Sequence, residues 1–536
     1  MSTPDDLRVR VEPAYTAAIA ATDAHETALR ATASTALARL SAQSYDDAVL
    51  AEHLAHGGII DGLEIAYAGT GRPALETFVA YVEGEWLIWD GRVWARKREP
   101  DAVEIVRQEL RAMFTHDTAD PNLKAESVKR AVVLLHKQKA ANVLYFLRGL
   151  LAVDSSTFDA HPDLLNVQNG IVDLRTGTLR DHDPRYRFTK FSDVDFSLTA
   201  RSDDWSAALE AVPEDVREWL QERYGQAATG HMAPDDLLVI QQGGGSNGKS
   251  TLENGIKSAL GDYAGLIPEK ALTGNSSDHP TDQMTLRGLR LAVVEELPEG
   301  KHLPTKRLKD LVGTQQITAR PMRGDFVTFD ATHSLFVNSN YVPQVAETDH
   351  GTWRRLALVR FPYRFVGPGE RVLSIHDRPG DPGLRERLKS PENRQAVLAW
   401  LVRGAMHWYG RDRTFTDMPA SVVADTRAWR EDADLILAYA NARLVFDPAG
   451  AALSKEVYED FSGWLADSGR QSWTDATFSA RLGAHELAEK NGVKKEKRRT
   501  QSLTLSHRFG PNLTAVVPAQ ANVWSGLRFR MVADDA

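Results

Sequence analysis

The chain contains no cysteine. That absence excludes disulfides and cysteine-ligated zinc outright. No stretch approaches the ~18 consecutive apolar residues of a membrane-spanning helix, so no membrane partner is expected. A leader is not seen either: the chain starts MSTPDDLRVRVEP, acidic where a signal peptide is basic. These features predict a cytoplasmic protein, in a bacterial host cell if phage or plasmid encoded. An excess of positive charge is missing too. Against 64 Lys and Arg stand 73 Asp and Glu, a balance of −9. No global field therefore favours a polyanion, and a nucleic-acid site must be a local basic patch. Internal repeats and long low-complexity segments are also lacking.

What is present is a globular composition, 42% hydrophobic and 26% charged over 536 residues. That length suggests about three to four domains. Residues 13–56 are Ala-rich with helical spacing. Residues 78–97 alternate around Asp90-Gly91, a hairpin signal. Trp86, Trp89 and Trp94 in that stretch are expected to pack a sheet rather than stack on bases. Residues 101–152 read as helices, with Lys129, Arg130, His136, Lys137 and Lys139 on a solvated face. Two turns, Asn169-Gly170 and Thr176-Gly177, predict another small β-unit over 164–184. Asp193 and Asp195 read as strand carboxylates, not a metal pair. Residues 203–230 are helical, 231–365 alternate strand and helix signals, and 384–410 are helical again. From about 417 a small α/β appendage is expected, with a helix over 476–490. The basic run VKKEKRRTQ at 493–501 reads equally as a grip on a duplex backbone or as a solvated turn.

One stretch carries chemistry. Residues 241–251, QQGGGSNGKST, fit G-x-x-x-x-G-K-[ST] with Gly243, Gly248, Lys249 and Ser250 at the fixed places. LLVI at 237–240 predicts a strand before it, and STLENGIKSAL at 250–260 a helix after it. Glycines let backbone N–H groups turn onto phosphate oxygens. The helix N-terminus adds partial positive charge. The expected nucleotide-binding residues are Gly243, Gly244, Gly245, Ser246, Asn247, Gly248, Lys249, Ser250 and Thr251, with ATP and Mg2+ as cofactors. Lys249 would reach the β/γ-phosphates, and the Ser250 hydroxyl would bind the metal.

Four further segments follow. LAVV ends in Glu295-Glu296. Acids at the tip of a strand beside the loop hold Mg2+ and polarise the attacking water. Glu296 is assigned the general-base role and Glu295 the metal side. Lys301, Lys306, Arg307, Lys309, Arg320 and Arg323 then form the basic patch that the net charge requires. Lys306, Lys309, Arg320 and Arg323 are the expected DNA contacts. ITARPMRGDFVTF predicts a hairpin tipped by Met322, Arg323 and Gly324, suited to a phosphate backbone. SLFVNSN predicts a strand ending in Asn338 and Asn340, amides able to sense a γ-phosphate. Trp353-Arg354-Arg355 offers an arginine finger for a neighbouring subunit's ATP.

Together, GGGSNGKST, LRGLRLAVVEE, LKDLVGTQQITAR, VNSNYVP and DHGTWRR resemble a superfamily 3 helicase of the AAA+ class, and more narrowly the phage, plasmid and poxvirus primase-helicase family. The resemblance covers about residues 75–500 and is strongest over 240–362. It implies an α/β fold: a P-loop AAA+ core, an N-terminal α+β helicase-associated domain and a small C-terminal α/β domain of winged-helix type. The implied divisions are a helical segment 1–75, the associated domain 76–202, the ATPase 203–415 and the C-terminal domain 416–536. It further implies a homo-hexameric ring moving 3′ to 5′ on single-stranded or forked DNA. Lys249, Ser250, Glu296 and Asn340 fall on its motif positions, Arg354 or Arg355 on the finger region, and Lys309, Arg320 and Arg323 on the hairpin motif. Glu295 departs from its pattern, which more often has a small residue there. No primase motif is seen in the first 75 residues, so priming is expected from a separate primase or polymerase. The alternative function is an origin-binding loader, or a regulatory or defence ATPase, that hydrolyses ATP without processive unwinding. A P-loop kinase is the poorer third reading.

Overall fold

The computed structural model describes residues 46–56, 59–60, 63–64, 74–115, 136–274, 280–322, 324–345, 350–468, 472–508, 517–531 and 534. Most of the helical signal over 13–56, and the cations Lys129 and Arg130, lie outside these residues.

A five-stranded parallel sheet lies at the centre. Its strands in chain order are β1 Leu238–Gln242, β2 Ala264–Leu266, β3 Leu291–Val294, β4 Ser334–Ser339 and β5 Leu356–Arg360. They lie side by side as β2-β3-β4-β1-β5. Each strand is a short apolar run, as a sheet buried on both faces requires. Side chains alternate between the two faces. Val239, Leu291, Val293, Phe336, Ala357 and Val359 enter one core. Leu238, Ile240, Ala292, Val294, Leu335, Val337 and Leu358 enter the other. The first face is covered by α1, Lys249–Leu260, and by helices Arg217–Ala227 and Pro391–Gly410. The second is covered by helix Thr305–Val312, Trp353 and Trp429. The hairpin Gln316–Ala319 with Val327–Asp330 stands outside this sheet.

Upstream, strands Val79–Val82, Glu85–Trp89 and Trp94–Lys97 form an antiparallel sheet. It packs on helices Asp47–His56, Glu99–Thr115 and Lys137–Leu150 around its own core. Trp86, Trp89 and Trp94 are buried in that core, as sheet packing predicts. The Asp90-Gly91 turn is present, with Gly91 at φ 101. A second turn at Glu83-Gly84, with φ 49 and 86, was not read from the sequence.

The next β-unit, Leu164–Val167, Gly170–Asp173 and Thr178–Arg180, is the expected meander. Its Leu165, Val167 and Val172 sit in the same core as the first face of the central sheet, with Val194 and Phe196. Residues on both sides of 202–203 thus share one core. Ser192 Oγ donates to the Ala259 carbonyl at 2.7 Å, and Asp193 pairs with Arg394. Residues beyond 415–416 join the central cores too, Val422 in one and Trp429 in the other. Helix Ala420–Ala433 lies on β5, where the Leu358 N–H donates to Thr426 Oγ1 at 2.9 Å.

The C-terminal fold begins with helix Leu435–Arg443. Strand Leu444–Leu453, helices Ser454–Asp467 and Asp475–Ala484, strand Lys494–Arg499 and strand Gln520–Phe529 follow. The last strand pairs antiparallel with both others. Its core is separate from those of the central sheet. The helix expected over 476–490 is broken. His485 caps a second short helix, Glu486–Lys490, through its ring, and its Nε2 bonds Asp434 Oδ2 at 2.9 Å with both side chains buried.

Candidate functional site

The glycine loop leaves the end of β1 and runs directly into α1. Two features make this sequence fold that way. Gly245 and Gly248 lie at φ 86 and 83, a region costly for side chains. A Cβ at Gly248 would also come within 2.6 Å of the Ala211 Cβ. The loop is pinned at both ends: the Gly243 N–H donates to the Ser339 carbonyl at 3.2 Å, and the Phe365 N–H to the Ser246 carbonyl at 2.7 Å. The N–H groups of Gly244, Ser246, Asn247 and Gly248 donate to no described residue. Gly244, Gly245, Ser246 and Ser250 are exposed. A ring of unbonded amide donors with an exposed hydroxyl fits a polyphosphate and its metal.

Lys249 is buried, 5% exposed, and its Nζ donates to the Gly243 carbonyl at 2.5 Å. Burial pushes its pKa down to about 8, and the Glu296 carboxylate opposes that shift. Asn340 follows β4 and places its Nδ2 3.5 Å from Glu296 Oε1. Lysine, carboxylate and amide thus meet at the carboxyl ends of β1, β3 and β4. Open parallel sheets bind ligands at such ends. Asn338 lies inside β4 and is buried, with Oδ1 unbonded. The acidic strand and the loop strand are not direct neighbours in the sheet. β4 lies between them, and that insertion brings Asn340 next to Glu296.

Glu295 is turned elsewhere. Its Oε1 bonds Lys257 Nζ at 2.7 Å, and Lys257 also meets Glu253 at 3.0 Å. Burial raises the Glu253 pKa, with Lys257 opposing. This chain ties the tip of β3 to α1, and the sequence reading missed it. Its signal was the Glu253/Lys257 spacing of four on one helix face. Phe365 was missed too, because nothing local marks a distant residue that closes on the loop.

Arg354 and Arg355 precede β5, the neighbour of β1, at the amino ends of the strands, opposite the loop. The Leu238 N–H donates to the Arg355 carbonyl at 2.8 Å, at the start of β1. At ~3.3 Å per strand residue the pair stands roughly 16 Å from its own loop. Arg355 is tied down by Asp236 at 3.1 Å and the Gly351 carbonyl at 2.5 Å, and its side chain is 14% exposed. Arg354 is 47% exposed and 3.7 Å from Asp236.

On the hairpin, Met322 is 81% exposed and Phe326 63%. Arg320 lies 5.5 Å over the Phe326 ring. Lys306 is exposed and Lys309 half-buried on helix Thr305–Val312. Arg323 lies outside the described residues. No group of three or more acidic or histidine side chains suited to a metal ion occurs among the described residues. No described helix is long and apolar enough to cross a membrane.

Fold and site define a mixed α/β protein with a parallel sheet whose strand ends carry a glycine loop, a lysine, a carboxylate and an amide. A family described as D5 N terminal like matches residues 75–223, and a family of unknown function, DUF5906, matches residues 241–355. The C962R protein of African swine fever virus, which carries a provisional primase name, is 24% identical over 385 residues, covering 68% of this chain and 39% of its own. The 022R protein of Frog virus 3, provisionally named a helicase, is 23% identical over 382 residues, 58% of this chain and 39% of its own. The vaccinia virus uncoating factor OPG117 is 26% identical over 352 residues, 61% and 42%. The chain thus spans about two-fifths of these relatives' length. Among solved structures, the C-terminal region of NrS-1 aligns over 78% of this chain and 84% of its own at 10% identity, with a TM-score of 0.42. By these matches the chain resembles viral proteins that carry primase and helicase names.

Proposed function

We propose that the chain is an ATP-driven DNA helicase of the superfamily 3, AAA+ type. One observation carries the reading: the unbonded amides of the loop, Lys249, Ser250, Glu296 and Asn340 converge at the carboxyl ends of the strands of a parallel sheet. Relatives that carry helicase and primase names support it. The loop amides would hold the phosphates of ATP. Lys249 would leave the Gly243 carbonyl for the β/γ-phosphates. Ser250 and Glu296 would hold Mg2+, which supplies charge neutralisation when bound. Glu296 would take the proton of the attacking water, oriented by Asn340. Glu295 serves better as the partner of Lys257 than as a metal ligand.

An arginine finger must come from elsewhere, since Arg354 and Arg355 stand far from their own loop. A closed ring supplies it, and Arg354 is the freer of the two. A homo-hexamer moving 3′ to 5′ on single-stranded DNA, with Lys306, Lys309, Arg320 and Arg323 toward the strand, completes the proposal. The C-terminal element order of helix, strand, two helices with a third short one, and antiparallel pair supports a winged-helix type fold.

ATP turnover with and without single-stranded DNA tests the site. Lys249→Ala should abolish nucleotide binding. Glu296→Gln should bind ATP yet lose turnover by 10²-fold or more, the range of general-base catalysis. Glu295→Gln should retain most turnover. Equal losses from Glu295→Gln and Glu296→Gln would overturn these roles.

A further inference from the structure

Two arginines meet in this fold without an acid between them. Arg201 lies on the loop that follows the β-meander, and Arg403 on helix Pro391–Gly410. Both donate from Nη1 to the same oxygen, the Leu198 carbonyl, Arg403 at 2.9 Å and Arg201 at 3.5 Å. Arg201 also reaches the Ala200 carbonyl at 3.0 Å. Leu198 belongs to a turn closed by the Ala200 N–H on the Ser197 carbonyl at 3.1 Å. Its side chain packs on the core beneath the central sheet. A Cβ on Gly177, which lies at φ 70, would come within 3.1 Å of that side chain and 2.8 Å of Met406 Sδ. Meander turn, loop and helix therefore close on one another here, and both guanidiniums are drawn to their seam.

Like charges this close repel, and a carboxylate beside them is the usual remedy. None pairs with either arginine among the described residues. Burial pushes the Arg403 pKa down to about 10, and the Arg201 charge pushes it the same way. Nε and Nη2 of both side chains bond to no described residue, and at Arg403 neither atom is sealed from solvent. Two guanidinium forks with free N–H groups suit a phosphate, whose several oxygens accept bidentate bonds. A carboxylate, with two oxygens and one charge, would occupy only one fork. Ser197 Oγ and Thr199 Oγ1, 3.2 Å apart and on either side of Leu198 in sequence, add hydroxyl donors to the same turn.

We propose that Arg201 and Arg403 form an anion site, at the seam of the β-meander and helix Pro391–Gly410, that takes the phosphate group of a small molecule: inorganic phosphate or a phosphate monoester. A nucleic-acid strand would need a run of cations along its backbone. Here the residues flanking the turn are aspartates, Asp193, Asp195, Asp203 and Asp204. A single compact dianion fits two arginines set among acids. Bound phosphate would neutralise the crowded charges and tie the 197–201 loop to the helix, so it stabilises the seam by mass action. The site shares no residue with the strand-end site and does not rest on the motor reading.

The test is calorimetric titration of the full chain with sodium phosphate and with glycerol phosphate, at constant ionic strength. The parent is the Lys249→Ala protein, so that the glycine loop contributes little. Arg201→Gln with Arg403→Gln should weaken phosphate binding by about tenfold or more, since charge-assisted bonds are lost from both forks. Arg385→Gln with Arg411→Gln, which removes the same charge from exposed positions elsewhere, should cost less than about twofold. If the double variant fails to fold, Arg201→Gln alone, at an exposed residue, should still cost about threefold or more. Melting separates a ligand site from a purely structural pair. Without phosphate Arg201→Gln should melt no lower than the parent, because it relieves a like-charge contact, and only the parent should gain on adding phosphate. Equal affinities for the two titrants assign the site to the bare phosphate group, and tighter binding of glycerol phosphate assigns it to a monoester. No phosphate binding by the parent, equal binding by the arginine variants, or displacement of the phosphate by an oligonucleotide without terminal phosphates would each overturn the proposal.

Discussion

Lys249 is held by its own loop, donating to the Gly243 carbonyl, and on the proposed function would exchange that bond for phosphate. Its place was legible because the motif fixes the lysine relative to two glycines and a helix start. Glu296 was legible by the same local logic, at the end of an apolar run. Which of two adjacent acids faces the loop was not. Glu295 and Glu296 differ only through Lys257, a residue on another element. A buried histidine makes a separate prediction. His333 donates from Nε2 to the Leu311 carbonyl at 3.0 Å, its Nδ1 has no partner, and burial pushes its pKa down to about 4. In the unfolded chain the ring takes a proton near pH 6.5. The folded state refuses that proton, so stability is full above pH 6.5 and is lost as pH falls toward 4, by ~3 kcal/mol. Melting temperatures from pH 7 to pH 5 should fall more steeply for the wild type than for His333→Gln. Parallel slopes would contradict this account.

At the scale of elements, turns and strands carried most of the signal. The Asn169-Gly170 and Thr176-Gly177 turns and the Met322 hairpin tip follow from local residue chemistry. Elements shaped by distant partners did not show. The helix over 476–490 breaks because His485 bonds Asp434 from a remote helix cap. The sequence also could not separate Arg354 from Arg355, since their difference is how closely Arg355 is held, buried against Asp236 and the Gly351 carbonyl. That contact predicts a division of effect. Arg355→Ala should lower the melting temperature, because it leaves Asp236 and the Gly351 carbonyl without their strongest donor. Arg354→Ala should leave melting within about a degree and lower ATP turnover on the order of 10³-fold, as for a finger acting in trans. Mixing Arg354→Ala with Lys249→Ala protein should restore some of the turnover, since each supplies the group the other lacks. No restoration at any ratio would count against a finger in trans.

Across the whole molecule, composition bounded the domain number but not where cores merge. Residues 164–184 read as a small β-unit, yet its Leu165, Val167 and Val172 fill the core under the central sheet. Apolar residues announce burial, not the partner against which they bury. The C-terminal fold, with its own core, should unfold apart from the rest. Calorimetry should resolve more than one transition. His485→Ala should lower only that of the C-terminal fold, by roughly 1–3 kcal/mol, because it leaves Asp434 Oδ2 buried without its partner. A shift of every transition together would show one cooperative unit instead. The central claim joins the strand-end site to work on DNA. Its most direct test is displacement of a strand from forked duplexes with ATP and Mg2+, comparing 3′-tailed and 5′-tailed forks and the Glu296→Gln protein. Displacement that requires the 3′ tail and disappears with Glu296→Gln is the predicted result. ATP turnover without displacement on either fork would contradict a helicase and favour a loader or switch.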